Sequence, residues 1–106
     1  MGTVETDRVV VEYSERLRAA LGNRIRNIIF FGSRARGEQK KYSDYDFLIV
    51  VDKRDRLLLD VIVEIEVTIL DEYERLIGSI VYESEEWERK KNFPLGMNIC
   101  ADGIPL

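Results

Sequence analysis

The sequence predicts a single α/β domain, with a small sheet and helices packed against it. Three observations support this fold class. Apolar residues recur at helical spacing in two segments, short apolar runs typical of strands lie between them, and no linker, repeat or low-complexity tract divides the chain. A chain of 106 residues can bury one hydrophobic core but has no room for a second. We therefore expect one domain over residues 1–106, with one functional site.

The composition, 45% apolar and 34% charged, is typical of a soluble globular protein. No apolar run approaches the roughly 20 residues that a membrane-spanning helix needs. Residues 1–8 are polar and acidic, unlike a signal peptide. Cys100 is the single cysteine, which excludes an intramolecular disulfide framework and predicts a structural rather than a reactive role for this thiol. These features predict a cytoplasmic protein.

The charge and the absence of histidine restrict the possible functions. A net charge of −4 argues against broad binding to duplex DNA or RNA, which needs a basic face. Because the chain has no histidine, Ser-His-Asp hydrolysis, Cys-His chemistry and histidine-ligated zinc are all excluded. Carboxylates therefore remain as the obvious acid, base or metal-binding groups.

The first predicted helix begins at about Val4 and stops at Gly22-Asn23, because apolar residues recur between them every three to four positions. A strand follows over residues 25–31. Its apolar run ends at Gly32, as is typical of a strand that is buried on both faces. Residues 32–43 are polar and contain two glycines, which predicts a turn and a loop.

A second strand is predicted to run from Asp44 to Asp52. Side chains alternate between the two faces of a strand, so Asp44 and Asp46 should project together from its beginning. This places two carboxylates directly across the loop from Gly32.

Residues 55–76 fit two interpretations. The segment 61–69 is rich in β-branched residues and alternates well enough for a strand. A helical period nevertheless extends over about five turns, which is longer than strands usually run, and we therefore predict a helix. The residues with this period are Leu58, Ile62, Ile65, Ile69, Tyr73 and Leu76. On this interpretation Glu64 and Glu66 face solvent.

The C-terminal third is predicted to contain a strand and two short helices. Residues 77–82 form the strand, Ser84 caps a charged helix through Lys91, and Pro94 starts a last turn or helix that ends before Gly103. Three further side chains are expected to pack against the sheet, although they could instead form an exposed cluster that docks a partner. These are Trp87, Phe93 and Met97.

The predicted pair of carboxylates suits metal-assisted phosphoryl chemistry. Magnesium prefers oxygen ligands and is usually held by one or two carboxylates together with substrate phosphates. Asp44 and Asp46 could supply that pair. Gly32 would let the backbone approach a phosphate, and the turn amides with the Ser33 hydroxyl could donate to its oxygens.

Two arginines follow the Gly-Ser turn. Arg34 and Arg36 would add positive charge where the charge of a triphosphate must be neutralised. The alternative is that they are ordinary solvated loop residues.

Two segments resemble the signature of the minimal nucleotidyltransferases, a family within the DNA polymerase beta superfamily. They are Phe31-Gly32-Ser33-Arg34-Ala35-Arg36-Gly37 and Ser43-Asp44-Tyr45-Asp46-Phe47-Leu48. The Gly-Ser pair and the Asp-x-Asp motif are separated by ten residues, the spacing of the MNT antitoxins that are paired with HEPN toxins. The resemblance implies a polymerase-beta-like fold, in which a small mixed sheet has its helices mainly on one face.

The resemblance also implies an activity and a set of site residues. The activity is transfer of a nucleoside monophosphate, AMP from ATP, with Mg²⁺ or Mn²⁺ as the cofactor. Asp44 and Asp46 would be the catalytic and metal-binding residues. The nucleotide-binding residues would be Gly32, Ser33, Arg34 and Arg36.

A complete site in this family has a third acid on the next strand. In the predicted third strand that position falls near Gly78 or Ser79, and neither is acidic. If residues 61–69 were the strand instead, Glu66, or less readily Glu64, would fill the role.

The missing acid favours a tyrosine acceptor, because a phenol with a pKa near 10 needs less activation than a sugar hydroxyl. The expected function is therefore transfer of AMP to a tyrosine of a HEPN-type toxin. The alternative is a catalytically weakened module that binds a nucleotide or neutralises a partner. Modification of RNA or of a small molecule is a third possibility, and the acidic charge disfavours RNA. A homo-oligomer or hetero-complex is plausible.

Overall fold

A computed structural model of the protein describes residues 7–38 and 44–106. In chain order, the elements are α1 (Arg8–Leu21), a 3-10 turn (Gly22–Arg24), β1 (Ile25–Phe31), β2 (Tyr45–Val51), α2 (Arg56–Tyr73), β3 (Ile77–Glu83), α3 (Ser84–Lys90), α4 (Pro94–Asp102) and β4 (Ile104–Pro105). These described residues form a sheet of order β3-β2-β1-β4. β1 is antiparallel to β2 and β4, whereas β3 is parallel to β2. The predicted α/β fold with a mixed sheet is confirmed.

Helix α1 presents one apolar face to the sheet. Asp7 caps its first turn by accepting a 3.0 Å hydrogen bond from the Val9 amide, and the helix ends at Gly22. The buried residues recur at the predicted helical spacing; they are Val9, Val10, Tyr13, Leu17 and Leu21. The predicted start near Val4 lies outside the described residues.

Residues 56–73 form a helix, as predicted, and the alternative of a strand over residues 61–69 is wrong. Asp55 caps α2 by accepting a 2.9 Å hydrogen bond from the Leu58 amide, and Ile62 and Ile69 are buried beneath it. The helix is the crossover between β2 and β3, because two parallel strands need a long connection of this kind.

The two faces of the sheet carry separate apolar clusters. The back face, defined by Phe47 and Ile49 of β2, packs against α1 and α2. The front face, defined by Leu48 and Val50, packs against Trp87 of α3 and against α4. The two long helices therefore share one face, as expected, while the two short helices cover part of the other.

Glu66 does not simply face solvent, as the helix interpretation expected. Its side chain is half-buried and accepts a 2.5 Å hydrogen bond from the Tyr13 hydroxyl and a 2.6 Å bond from the Ser79 hydroxyl. Glu64, two residues earlier and therefore on nearly the opposite side of the helix, is exposed as expected. Glu66 thus links α1, α2 and β3 on the back face.

The cap of α3 differs from the prediction. Glu83 rather than Ser84 is the N-cap, and it forms a reciprocal capping box with Glu86. The helix beginning at Pro94 is confirmed. The two-residue strand β4 beyond Gly103 was not predicted from the sequence.

Two of the three side chains expected to pack are exposed. Trp87 is buried, but Phe93 is 61% and Met97 58% exposed, so the packing prediction is wrong for both. Cys100 is also exposed, and the structural rather than reactive role of its thiol stays a prediction. Nothing in the described helices is long and apolar enough to cross a membrane.

Candidate functional site

The Gly-Ser turn and the Asp-x-Asp motif lie side by side at one end of the sheet. Phe31, the last residue of β1, pairs with Asp46 near the start of the antiparallel strand β2. Gly32 and Ser33 follow at the same end, as the sequence predicts. Asp44 is exposed just before β2, whereas Asp46 is half-buried within it.

Asp46 lies on the front face between two glycines. A side chain on Gly32 would collide with its carboxylate, and the φ of +88° at Gly32 also disfavours any other residue. On the opposite side, Asp46 pairs with Gly78 of β3, where an added Cβ would stand 3.6 Å from the Asp46 Oδ1 atom. The absence of side chains at both neighbours leaves the carboxylate room for a ligand.

Burial and, secondarily, the negative charge of Asp44 raise the pKa of the Asp46 carboxyl. A divalent cation between the two carboxylates would offset both effects, because it favours their charged forms. Two carboxylates and two flanking glycines therefore suit a cation that takes its other ligands from water and phosphate. Asp44 and Asp46 are the residues that could hold it.

The residues after β1 form one tight helical turn. The Arg36 amide donates to the Gly32 carbonyl at 3.2 Å, and the Glu38 amide donates to the Ser33 carbonyl at 2.8 Å. The first amides of such a turn point outward and can donate to an anion. The turn therefore places Ser33 and its neighbouring amides beside Asp46. Residues 39–43 of the predicted loop lie outside the described residues.

Arg34 is held at the edge of the site by Tyr45. Its guanidinium carbon lies 4.3 Å from the centre of the Tyr45 ring, and its Nη1 donates to the Tyr45 hydroxyl at 3.3 Å. The same hydroxyl donates to the Asp7 carboxylate at 3.0 Å. Sequence reasoning missed this chain of contacts, because Asp7 and Tyr45 are far apart in sequence.

Arg36 makes contacts with acidic residues of the protein itself. Its Nε atom lies 3.1 Å from Glu38, and its Nη1 atom lies 4.0 Å from Asp102 at the end of α4. These contacts are exposed and therefore weak, so the side chain could exchange them for a phosphate. Arg34 and Arg36 therefore both lie in the turn beside Asp46.

No described acid occupies the third position. The parallel register places Gly78 beside Asp46 and Ser79 beside Phe47, while the only acid of β3, Glu83, lies at the other end. Glu66 reaches Ser79 from the back face, so the interpretation that made it a third ligand is wrong. Within the described ranges, no group of three or more acidic, histidine or cysteine side chains could hold a metal ion.

Comparison with known proteins gives matches along most of the chain. The nucleotidyltransferase domain family matches residues 10–94. A candidate protein adenylyltransferase from Methanocaldococcus jannaschii, MJ0604, is 31% identical over 100 residues, covering 94% of this chain and 96% of that protein.

Solved structures share the fold at lower identity. A candidate nucleotidyltransferase from Sulfolobus solfataricus has a TM-score of 0.61 and 20% identity, and the match covers 96% of this chain and 79% of that one. A toxin–antitoxin structure with AMP-PNP has a TM-score of 0.58 and 14% identity, covering 88% and 68%. A structure of the MntA–HpeT toxin–antitoxin has a TM-score of 0.55 and 13% identity, covering 87% and 68%.

The family match includes the Gly-Ser turn, the Asp-x-Asp motif and β3. The curated relative extends the similarity over nearly the whole length of both proteins. The sheet order, the adjacent turn and carboxylates, and these matches lead to one conclusion: this chain is a nucleotidyltransferase and belongs to the nucleotidyltransferase domain family.

Proposed function

We propose that this protein transfers AMP from ATP to a tyrosine hydroxyl of a partner protein, with Mg²⁺ or Mn²⁺ held by Asp44 and Asp46. The observation that carries the proposal is the open position of the Asp46 carboxylate between Gly32 and Gly78, beside the Gly-Ser turn. Two comparisons support it. The curated relative is named for protein adenylylation, and one structural neighbour is a complex with an ATP analogue.

In the proposed reaction, the acceptor oxygen forms a bond to the α-phosphorus of ATP and the bond to pyrophosphate breaks. The acceptor proton leaves to a carboxylate or to water. When bound, the divalent cation supplies positive charge to the phosphates and to the departing pyrophosphate. The turn amides and the Ser33 hydroxyl orient the phosphates, and Arg34 and Arg36 add charge at the loop.

The position of Gly78 supports tyrosine as the acceptor. A third carboxylate would help to remove the proton of a sugar hydroxyl, and none stands beside Asp46 on β3. A phenol is a far stronger acid, with a pKa near 10, so it can lose its proton and accept AMP with less assistance. The proposed acceptor is a tyrosine of a small helical HEPN-type toxin, which this cytoplasmic domain would neutralise as its antitoxin.

The same observation favours a second candidate function. A site without the third acid could bind ATP and a partner without turnover, and the protein would then neutralise its partner by contact alone. Release of pyrophosphate distinguishes the two functions, because only the enzyme produces it.

The test uses the full chain with Mg²⁺, ATP and a small helical protein that co-purifies with it. We expect the intact mass of that partner to increase by one AMP, with the addition mapped to a tyrosine by peptide sequencing. The Asp46→Asn variant should lose the addition and should bind an ATP analogue more weakly in calorimetry. An unchanged partner mass with intact analogue binding would support the contact-only function, and absence of both would overturn the proposal.

A further inference from the structure

A cavity of about 320 Å³ lies on the front face between β3, α3 and α4. Its walls are largely aromatic and apolar. The rings of Tyr82 and Trp87 stack with their centres 6.2 Å apart, and Phe93 and Leu95 border the opening while 61% and 49% exposed. The walls also include Lys90, the one charged residue among them. A site of this size and character suits a flat aromatic ligand with polar edges.

The cavity and the carboxylates share one face of the sheet. In the parallel register, Asp46 pairs with Gly78 and Val50 pairs with Tyr82. Because side chains alternate along a strand, Tyr82 projects from the same face as Asp46, four residues farther along. A strand rises by roughly 3.3 Å per residue, so the pair Asp46–Gly78 and the pair Val50–Tyr82 are about 13 Å apart along the sheet. An extended nucleoside triphosphate spans a comparable distance from its terminal phosphate to its base.

The cavity is shaped by a close contact between two helices. A side chain at Gly96 of α4 would collide with the backbone of Lys90 and Lys91 at the end of α3. Phe93 is the N-cap of α4 and Leu95 lies in its first turn, so this contact holds the start of α4 beside the end of α3. The aromatic walls are therefore held by packed backbone rather than by long side chains.

We propose that this cavity binds the nucleobase of the donor nucleotide, while the triphosphate lies at the Gly-Ser turn and at Asp46. The inference rests on the proposed function, because it needs a nucleotide at that site. Stacking on an aromatic ring stabilises any base, and Tyr82, Trp87 and Phe93 supply such rings. The base would thus be read some distance from the motif that binds the phosphates.

Phe93→Ala is the principal test variant, because Phe93 is exposed and its loss should leave the fold intact. Met97→Ala is the matched control, since Met97 is 58% exposed on the same helix but does not line the cavity. With Mg²⁺, we expect Phe93→Ala to weaken binding of a nonhydrolysable ATP analogue by about tenfold, the order of a lost stacking contact. Met97→Ala should bind it as the parent does.

Inorganic tripolyphosphate separates the base site from the phosphate site. We expect it to bind the parent and Phe93→Ala equally in calorimetry, because it has no base. Trp87 is the single tryptophan and lines the cavity, so the ATP analogue should change its fluorescence whereas tripolyphosphate should not. The differences between the two ligands, in affinity for Phe93→Ala and in Trp87 fluorescence, therefore report contacts made by the base.

The outcomes distinguish the two proposals. If the parent binds neither ligand, the nucleotide site itself is refuted together with this inference. If the parent binds the analogue but Phe93→Ala binds it equally well and Trp87 fluorescence does not respond, the base lies elsewhere. Weaker binding of a partner protein by Phe93→Ala, with unchanged analogue affinity, would also overturn the inference in favour of a protein-docking surface.

Discussion

Among the glycines that the structure describes, Gly32 is the one whose backbone and surroundings both require glycine. Its φ is +88°, and an added Cβ would strike the Asp46 carboxylate. We expect Gly32→Ala to reduce AMP transfer by about 100-fold, because displacing a metal-binding or catalytic group by even 1 Å has an effect of this size. Initial rates of pyrophosphate release would measure the loss.

Gly37 provides the control for that substitution. It also has a positive φ, +76°, but no atom lies within 4 Å of an added Cβ. Gly37→Ala should therefore show a similar loss of stability from backbone strain, of about 1 kcal/mol, and should retain most of its activity. Equal losses of activity in the two variants would contradict the proposed role of the Gly32–Asp46 contact.

The third carboxylate can be tested at Gly78. We expect Gly78→Asp to increase the rate of pyrophosphate release about tenfold or more, because general-base assistance contributes at least this much. The added side chain would start 3.6 Å from the Asp46 Oδ1 atom, close enough to share a cation. Gly78→Asn is the matched control, since it has the same shape without the charge. A Gly78→Asp variant no faster than Gly78→Asn would refute this prediction.

The residues that sequence reasoning identified are those whose chemistry depends on local spacing. Gly32, Ser33, Asp44 and Asp46 belong to two short motifs joined by a loop, so their proximity follows from one strand turning back on another. The contact of Arg34 with Tyr45 could not be predicted, because it depends on how two side chains orient in space.

At the level of secondary structure, Glu66 of α2 joins three elements, because it accepts hydrogen bonds from Tyr13 of α1 and from Ser79 of β3. The Tyr13 hydroxyl is buried, so removing its acceptor would leave a donor without a partner. We expect Glu66→Ala to lower the free energy of unfolding by about 1–3 kcal/mol, the usual effect of a buried unsatisfied group. Urea denaturation would measure it.

Glu64→Ala is the control for this prediction. Glu64 lies on the same helix with its side chain exposed, so its removal should change stability by less than about 0.5 kcal/mol. Equal stability losses in the two variants would show that the contacts of Glu66 do not determine the effect.

The type of each long element could be predicted, but several details of the short ones could not. Residues 56–73 kept a helical period long enough to exclude a strand. The exposure of Phe93 and Met97 could not be predicted, because α4 is only nine residues long. The residues that it buries are Gly96, which lies against α3, and Ile99, which packs on the sheet. On so short a helix, the spacing of apolar residues in the sequence does not reveal which of them points away from the sheet. Strand β4 has two residues, too few for any periodic signal.

For the whole molecule, the stability of the core depends on Tyr13, a fully buried tyrosine whose hydroxyl stays protonated. Burial, and then the charge of Glu66, raise the pKa of Tyr13 well above its ordinary value. In the unfolded chain this phenol ionises near pH 10, so above that pH the unfolded state binds fewer protons than the folded one. The contribution of Tyr13 to the free energy of unfolding should therefore be independent of pH below about pH 10 and should fall as pH rises above it.

The expected slope from Tyr13 is about 1.4 kcal/mol per pH unit above its unfolded pKa. Urea denaturation between about pH 9 and pH 11 would measure it. Tyr13→Phe should be less stable than the parent at neutral pH, where it loses the hydrogen bond to Glu66, and should show a shallower decline. An identical decline in both proteins would exclude Tyr13 as its cause.

The sheet topology could be predicted only as a class. The alternation of helices and strands indicated an α/β domain, and only the resemblance to the minimal nucleotidyltransferases implied a mixed sheet. The parallel register that sets Gly78 against Asp46 depends on the full path of α2 across the back face. Sequence spacing could place that neighbour only to within one residue.

The position of Gly78 also has a genetic consequence. Every glycine codon becomes an aspartate or glutamate codon through a change of its second base, so a single mutation in the gene could install an acid beside Asp46. The structure leaves space for it. A population under selection for faster transfer should therefore acquire this substitution readily, whereas one in which rapid modification of the partner is harmful should retain the glycine.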